Sequence, residues 1–292
     1  MKILVSFSGG KDSQACLIQA FKQYGGGNLT AVFCDTGWEH PDTYKHVNDV
    51  CLQMGVRLIT LKSKYDFVSL AVHKKRFPST NARFCTSELK MKPMIDYVLS
   101  LKESCIIIQG IRAGESTARA AMEEECMYFK SYFQPNKKGR TENYRSKDVK
   151  EWCSQFDASV LRPIFKWSAQ QVIDCILDAG QKPNPLYYRG FSRVGCFPCI
   201  MCRHKEIELI AKNNLEMKKI KDLTIKVTYR VGLSDVEVPD KVYDELAKAY
   251  DEGGYVPEGD DELENANEWL LDNIRQEDAM DWEFEIDDFQ DE

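Results

Sequence analysis

The pattern of the chain predicts an α/β fold: a doubly wound, mostly parallel sheet with a Cys-rich segment and a small C-terminal extension. Short apolar, β-branched runs (Ile3-Leu4-Val5, residues 29–33 and 104–111) alternate with segments of helical periodicity (Lys11–Tyr24, Pro41–Met54, residues 87–101). Such alternation is how parallel strands joined by crossover helices are written. The first strand also runs straight into Ser8-Gly9-Gly10-Lys11-Asp12-Ser13 and then a helix. Open α/β sheets bind ligands at that kind of edge.

Taken in order, residues 2–7 read as a buried strand and Lys11–Tyr24 as a helix ended by Gly25-Gly26-Gly27. Residues 29–33 form a second strand ending at Cys34-Asp35-Thr36-Gly37, and Pro41–Met54 a helix with proline in its first turn. Residues 57–61 are a third strand, 66–73 a short helix, 87–101 a helix and 104–111 a fourth strand. The polar Pro/Asn/Gly/Lys-rich stretch 134–147 reads as a loop. Residues 161–165 read as a last strand or extended arm, and 168–179 as a helix capped by Ser168. Residues 184–202 are irregular and rich in aromatics, Gly, Pro and Cys, and a helix is expected over 205–213. This divides the chain into a nucleotide-binding domain (1–215) holding the Cys-rich segment (about 184–205), an accessory strand and helix (216–257) and a tail (258–292).

A chain of 292 residues can bury one large core and carry a smaller appendage. No stretch is long and apolar enough to span a bilayer, and the N-terminus opens into a strand rather than a signal peptide. Eleven cysteines, an odd number, scattered singly through apolar segments fit buried thiols in a reducing cytoplasm better than a disulfide scaffold. Residues 258–292 carry sixteen acidic residues against one basic residue, Arg275, which leaves 38 basic and 30 acidic residues in 1–257. The net charge of −7 thus hides a basic body, for which phosphorylated ligands, nucleic acid included, are fitting partners. The tail interleaves acids with Trp269, Trp282, Phe284 and Phe289, which points to a docking segment.

Three constellations carry chemistry. In residues 8–13, Gly9 and Gly10 let several amides face one spot, the following helix adds its positive end, Lys11 supplies a mobile cation, and Ser8 and Ser13 supply hydroxyls. The result is a polyphosphate cradle, with Asp12 or Asp35 placed to approach Mg²⁺. Asp35 ends the neighbouring strand, where it faces a nucleotide or caps a turn. At the end of the fourth strand, Gly110 is followed by Arg112, Glu115 and Arg119, and the two arginines offer forked donors to phosphate. Finally, Cys196, Cys199 and Cys202 place three thiols at three-residue spacing, with Cys85 as a fourth ligand and His204 as a substitute. Soft thiolates suit an iron–sulfur cluster, whereas His204 would favour zinc.

The hexapeptide resembles the PP-loop of the ATP pyrophosphatases. Together with Cys34-Asp35-Thr36-Gly37, Cys85 followed by Lys90 and Pro93, residues 110–119, and Tyr188-Arg189-Gly190-Phe191-Ser192-Arg193-Val194-Gly195-Cys196-Phe197-Pro198-Cys199, it makes roughly residues 1–205 similar to the phosphoadenosine phosphosulfate reductase family. The resemblance implies an adenine nucleotide α-hydrolase-like fold, a phosphate-binding PP-loop and a four-cysteine [4Fe–4S] cluster. Sulfonucleotide reductases of this family use a nucleophilic cysteine near the C-terminus, and here none follows Cys202. Only Cys85-Thr86 stands where cluster-bearing members have paired cysteines. The pattern is closer to the sulfurtransferase-like relatives.

The leading expectation is an enzyme that binds ATP with Mg²⁺ and releases pyrophosphate, leaving AMP or an adenylated intermediate. Lys11, Asp12 and Arg112 would be catalytic, and sulfur would pass to an acceptor such as nucleic acid from a donor protein. One alternative is a sulfonucleotide reductase using an external thiol. Another is a non-catalytic nucleotide sensor whose acidic tail mimics nucleic acid. The oligomeric state is left open.

Overall fold

A computed structural model describes residues 1–79, 82–136, 139–202, 206, 209 and 210. The expected accessory unit (216–257), the acidic tail, His204 and most of the helix at 205–213 lie outside these residues. Strands β1 (Lys2–Ser6), β2 (Leu29–Asp35), β3 (Arg57–Lys62), β4 (Cys105–Gln109), β5 (Glu125–Met127) and β6 (Ala158–Leu161) form one sheet in the order β3-β2-β1-β4-β6-β5. All neighbours are parallel except β5, which pairs antiparallel with β6 at the edge.

Helices cover both faces, and the period-2 pattern of the strands shows why. From β1, Ile3, Val5 and Phe7 pack into a core with Leu17, Val47 and Ile176. These come from α1 (Lys11–Tyr24), α2 (Pro41–Met54) and α9 (Ala169–Asp178). Leu4 points the other way, into a core with Val98, Phe129 and Trp152. Those belong to α5 (Lys92–Ser100), to the residue preceding the short α7 (Lys130–Phe133), and to α8 (Ser146–Cys153). Each fully buried aliphatic side chain contributes about 1.5–3 kcal/mol. The central strands therefore fix the C-terminal edge on which the site is built.

Some elements differ from the sequence reading. The last strand ends at Leu161 rather than spanning 161–165, because the chain turns there and Phe165 N–H bonds back to Arg162 O. Helix α8 begins inside the stretch read as loop, burying only Val149 and Trp152. The helix expected over 87–101 is broken into α4 (Phe84–Thr86), a π turn (Ser87–Met91) and α5. Pro93 has no N–H for the Leu89 carbonyl, which accounts for the wide turn just before it. Helix α3 (Phe67–Lys74) starts from an Asp66 capping box. The short α6 (Thr117–Ala120) and α10 (Pro185–Tyr188) lie in the segments after β4 and α9. Among the described residues no helix is long and apolar enough to cross a membrane.

Candidate functional site

The loop between β1 and α1 closes on itself. Gly9 adopts φ +76°, and a Cβ there would lie 2.8 Å from Thr43 Cγ2. The Ser13 hydroxyl donates to Gly10 O (2.8 Å) and accepts from Ser8 N–H (3.2 Å). Ser13 is therefore committed to holding the turn, whereas Ser8 is exposed. Gly110, at the end of β4, backs directly onto the loop: a Cβ would sit 2.7 Å from Asp12 C and Ser13 N. The close approach explains the glycine.

Asp12 is clamped by cations. Arg112 Nε donates to its Oδ1, and Lys11 Nζ lies 3.6 Å from its Oδ2. Arg112 is buried, and its own N–H reaches Glu115 (3.1 Å), which in turn holds Arg119. Both arginines expected as phosphate forks are thus engaged with carboxylates.

A second layer, silent in the sequence, roofs the loop. Asn184 Nδ2 donates to Gly9 O (3.2 Å), and Lys11 N–H donates to the Tyr187 hydroxyl (3.0 Å). Lys11 Nζ lies 5.0 Å from the centre of the Tyr187 ring and 3.4 Å from Ser192 O. A Cβ at Gly10 would be 3.1 Å from Val194 O. Burial, with Asp12 and Glu115 nearby, pushes the Tyr187 phenol well above its ordinary range, so the hydroxyl stays protonated. Because it accepts from Lys11 N–H, its own proton is available to another acceptor.

A buried polar chain fastens this roof. Gln14 Nε2 donates to Gln181 Oε1 (2.9 Å) and Lys182 O (3.0 Å). Gln14 Oε1 is left as acceptor for His46 Nε2 (3.1 Å), which therefore carries the proton. Burial lowers His46 to about 4.

On the neighbouring strand, Asp35 accepts from Tyr44 Oη (2.7 Å) and Gly37 N–H (2.9 Å), with Lys62 Nζ at 3.3 Å. Burial opposes its charge, but those three partners hold it below the usual carboxylate range. Tyr44 also lies 3.0 Å from Glu39, a buried carboxylate that accepts from Thr36 Oγ1 (2.7 Å).

Beyond Glu39 lies the cysteine loop. Cys196 bridges to Glu39, Phe197 N–H donates to Trp38 O (2.7 Å), and Trp38 Nε1 donates to Pro198 O (2.9 Å). Cys85 and Cys196 share one apolar cluster, Cys202 N–H donates to Cys199 O (2.9 Å), and none of the four is in a disulfide. Burial opposes the charge of Lys90, yet Cys196 and Glu39 hold its ammonium well above the ordinary lysine range. Among the described residues, no three His, Cys, Asp or Glu side chains converge as a finished metal site. The donor set is nonetheless four neighbouring free thiols beside a cation, a composition that fits a soft, anionic group. The structure thus brings residues 8–13, Gly110, Arg112 and Arg119 together at one edge. Asp35 lies one strand over, and the thiols lie beyond it. Tyr187, Asn184, Glu39 and Tyr44 escaped the sequence reading because ordinary polar and aromatic residues leave no motif.

An uncharacterized 37.8 kDa protein of Escherichia phage 186 is 31% identical, covering 74% of this chain and 72% of its own length. The adenosine 5'-phosphosulfate reductase of Streptomyces coelicolor is 25% identical over 59% of this chain and 61% of that protein. Two longer relatives from Methanocaldococcus jannaschii are matched over only 36% and 41% of their lengths. Among solved structures, the phosphoadenylyl-sulfate reductase of Candida auris, a phosphate complex, aligns with TM-score 0.46 and 17% identity over 68% of this chain and 83% of that one. Residues 2–202 match the phosphoadenosine phosphosulfate reductase domain, and the chain belongs to that family.

Proposed function

We propose that this protein binds ATP in the loop of residues 8–13 and releases pyrophosphate, leaving an adenylated acceptor from which incoming sulfur then displaces AMP. The observation that carries the reading is the loop itself, a glycine turn at the N-terminus of a fourteen-residue helix with Lys11 beside it. The first amides of α1 lack intrahelical acceptors and face the same edge as Lys11, a preorganised field for negative charge.

An acceptor oxygen attacks the α-phosphorus, the bond to the bridging oxygen breaks, and pyrophosphate leaves. Lys11 Nζ and the loop amides stabilise charge on the leaving oxygens. Arg112 holds Asp12 and so fixes the first turn of α1. The Tyr187 hydroxyl stands in for phosphate in the free protein and yields Lys11 N–H to a phosphate oxygen when the nucleotide binds. Asp35 and Tyr44, one strand over, face the nucleoside end. Asp12 and Asp35 are both paired with cations here, so Mg²⁺ would ride on the phosphate oxygens, which are hard ligands. Cys85, Cys196, Cys199 and Cys202 would hold a [4Fe–4S] cluster, or zinc in its place; a cluster bound there would supply a soft site for sulfur. A donor protein would provide that sulfur, and nucleic acid is an acceptor class that suits the basic body.

Lys11→Ala should reduce pyrophosphate release from ATP at least about a hundredfold, the scale of one lost oxyanion donor. A wild-type rate would refute the mechanism. Family membership and the named activity of the Streptomyces relative favour a second reading, sulfonucleotide reduction with an external thiol. Sulfite released from adenylyl sulfate or its 3′-phosphate would select it.

A further inference from the structure

The segment from the end of β3 to the start of α5 is basic out of proportion to the rest of the chain. Residues 62–92 hold eight Lys or Arg and two acids, Asp66 and Glu88, in a protein of net charge −7. Three of these cations, Lys64, Lys74 and Lys75, flank an aromatic platform at α3. Tyr65 and His73 stack with ring centroids 4.8 Å apart and planes 18° from parallel. His73 is exposed, and Lys64 Nζ lies 5.3 Å from the Tyr65 ring centre. Lys74 and Lys75 follow His73 on the surface, and among the described residues neither forms an ion pair. Phe77 is 40% exposed just beyond them.

Cations at the end of a helix are ordinary, since they offset its dipole. That account needs neither the stacked rings nor the backbone of Lys75. Lys75 adopts φ 54° at the C-terminal cap of α3, a left-handed position that glycine fills more easily. A lysine stands there against the local preference. The platform also adjoins the site: Tyr65 and α3 residues Val68 and Val72 share one apolar cluster with Cys85 and Cys196.

We infer that the Tyr65–His73 stack with Lys64, Lys74 and Lys75 binds a single-stranded nucleic acid, the acceptor in the reaction proposed above. Bases stack on the open imidazole face, and the lysines follow the phosphates. The inference rests on that reading for what the strand is for, not for whether it binds.

The test uses the full chain and fluorescein-labelled strands of about 20 nucleotides, RNA and DNA in separate arms, read by anisotropy between about 50 and 200 mM salt. Combining Lys74→Ala with Lys75→Gly should weaken binding about tenfold at low salt and flatten the salt slope by about 1.4, two phosphate contacts' worth. The melting temperature should hold or rise, because glycine suits the cap. His73→Ala should weaken binding about fivefold or more and leave the salt slope alone. Unchanged affinities in these variants, no binding by the wild type, tighter binding of a blunt duplex, or displacement by poly-glutamate at equal charge would each overturn the inference. Without a strand, the slower pyrophosphate release from ATP by attack of water should stay at the wild-type rate in these variants. Its dependence on Lys11 tests the ATP chemistry separately, so either reading can fail alone.

Discussion

Removing the Tyr187 hydroxyl should make the ligand-free protein less stable and its grip on ATP tighter. The hydroxyl accepts a hydrogen bond from Lys11 N–H at 3.0 Å in a partly buried setting. In Tyr187→Phe that amide loses its partner, which costs about 1–3 kcal/mol for a buried group and about 1 kcal/mol at this exposure. The ring remains, and with it the contact to Lys11 Nζ at 5.0 Å. A loss of about 1 kcal/mol lowers the melting temperature by about 2–4 °C in a domain of this size. With nucleotide bound, a phosphate oxygen takes the amide, so the penalty falls on the free state alone. Closing the cycle, Kd for ATP should drop about fivefold. Thermal melts with and without ATP and magnesium, together with calorimetric titration, read both quantities. Weaker ATP binding in the variant would refute the reasoning, since the hydroxyl would then belong to the bound complex rather than stand in for phosphate.

Burial presses His46 from 6.5 to about 4, so the unfolded chain takes up a proton that the folded state refuses. Stability should therefore fall as pH drops from about 6.5 towards 4, by on the order of 3 kcal/mol from this group. Denaturation at stepped pH should show the slope flattened in His46→Gln; an unaltered slope would place the sensitivity elsewhere. Anaerobically purified protein should carry iron and acid-labile sulfide, and Cys199→Ser should lose both. Zinc without iron in the wild type would overturn the cluster assignment.

The cradle was legible because it is local: six adjacent residues specify a turn, a helix start and a cation. β1 to β4 were legible for the same reason, as apolar runs between clear breakers. What stayed hidden depends on distance or on weak patterning. β5 has three residues, Glu125, Cys126 and Met127, and no alternation long enough to notice. Helix α8 buries two side chains in a run of Lys, Asp and Glu, so its polar majority masks it. Arg112 and Asp12 lie a hundred positions apart, and nothing in either neighbourhood announces that they neutralise one another. Tyr187 is farther still from Lys11, and its meaning comes from a single oxygen.

That separation sets an order of events during synthesis. The six strands of the described residues lie within the first 161 positions, so a nascent chain of that length holds them and the bare glycine turn. Asn184 and Tyr187, which meet Gly9 and Lys11 across 175 and 176 positions, emerge only afterwards. Contacts of such span close late. A ribosome stalled near residue 200, which clears Leu161 but not Asn184 from the exit tunnel, would therefore display an open pocket, and one stalled past residue 230 a covered one.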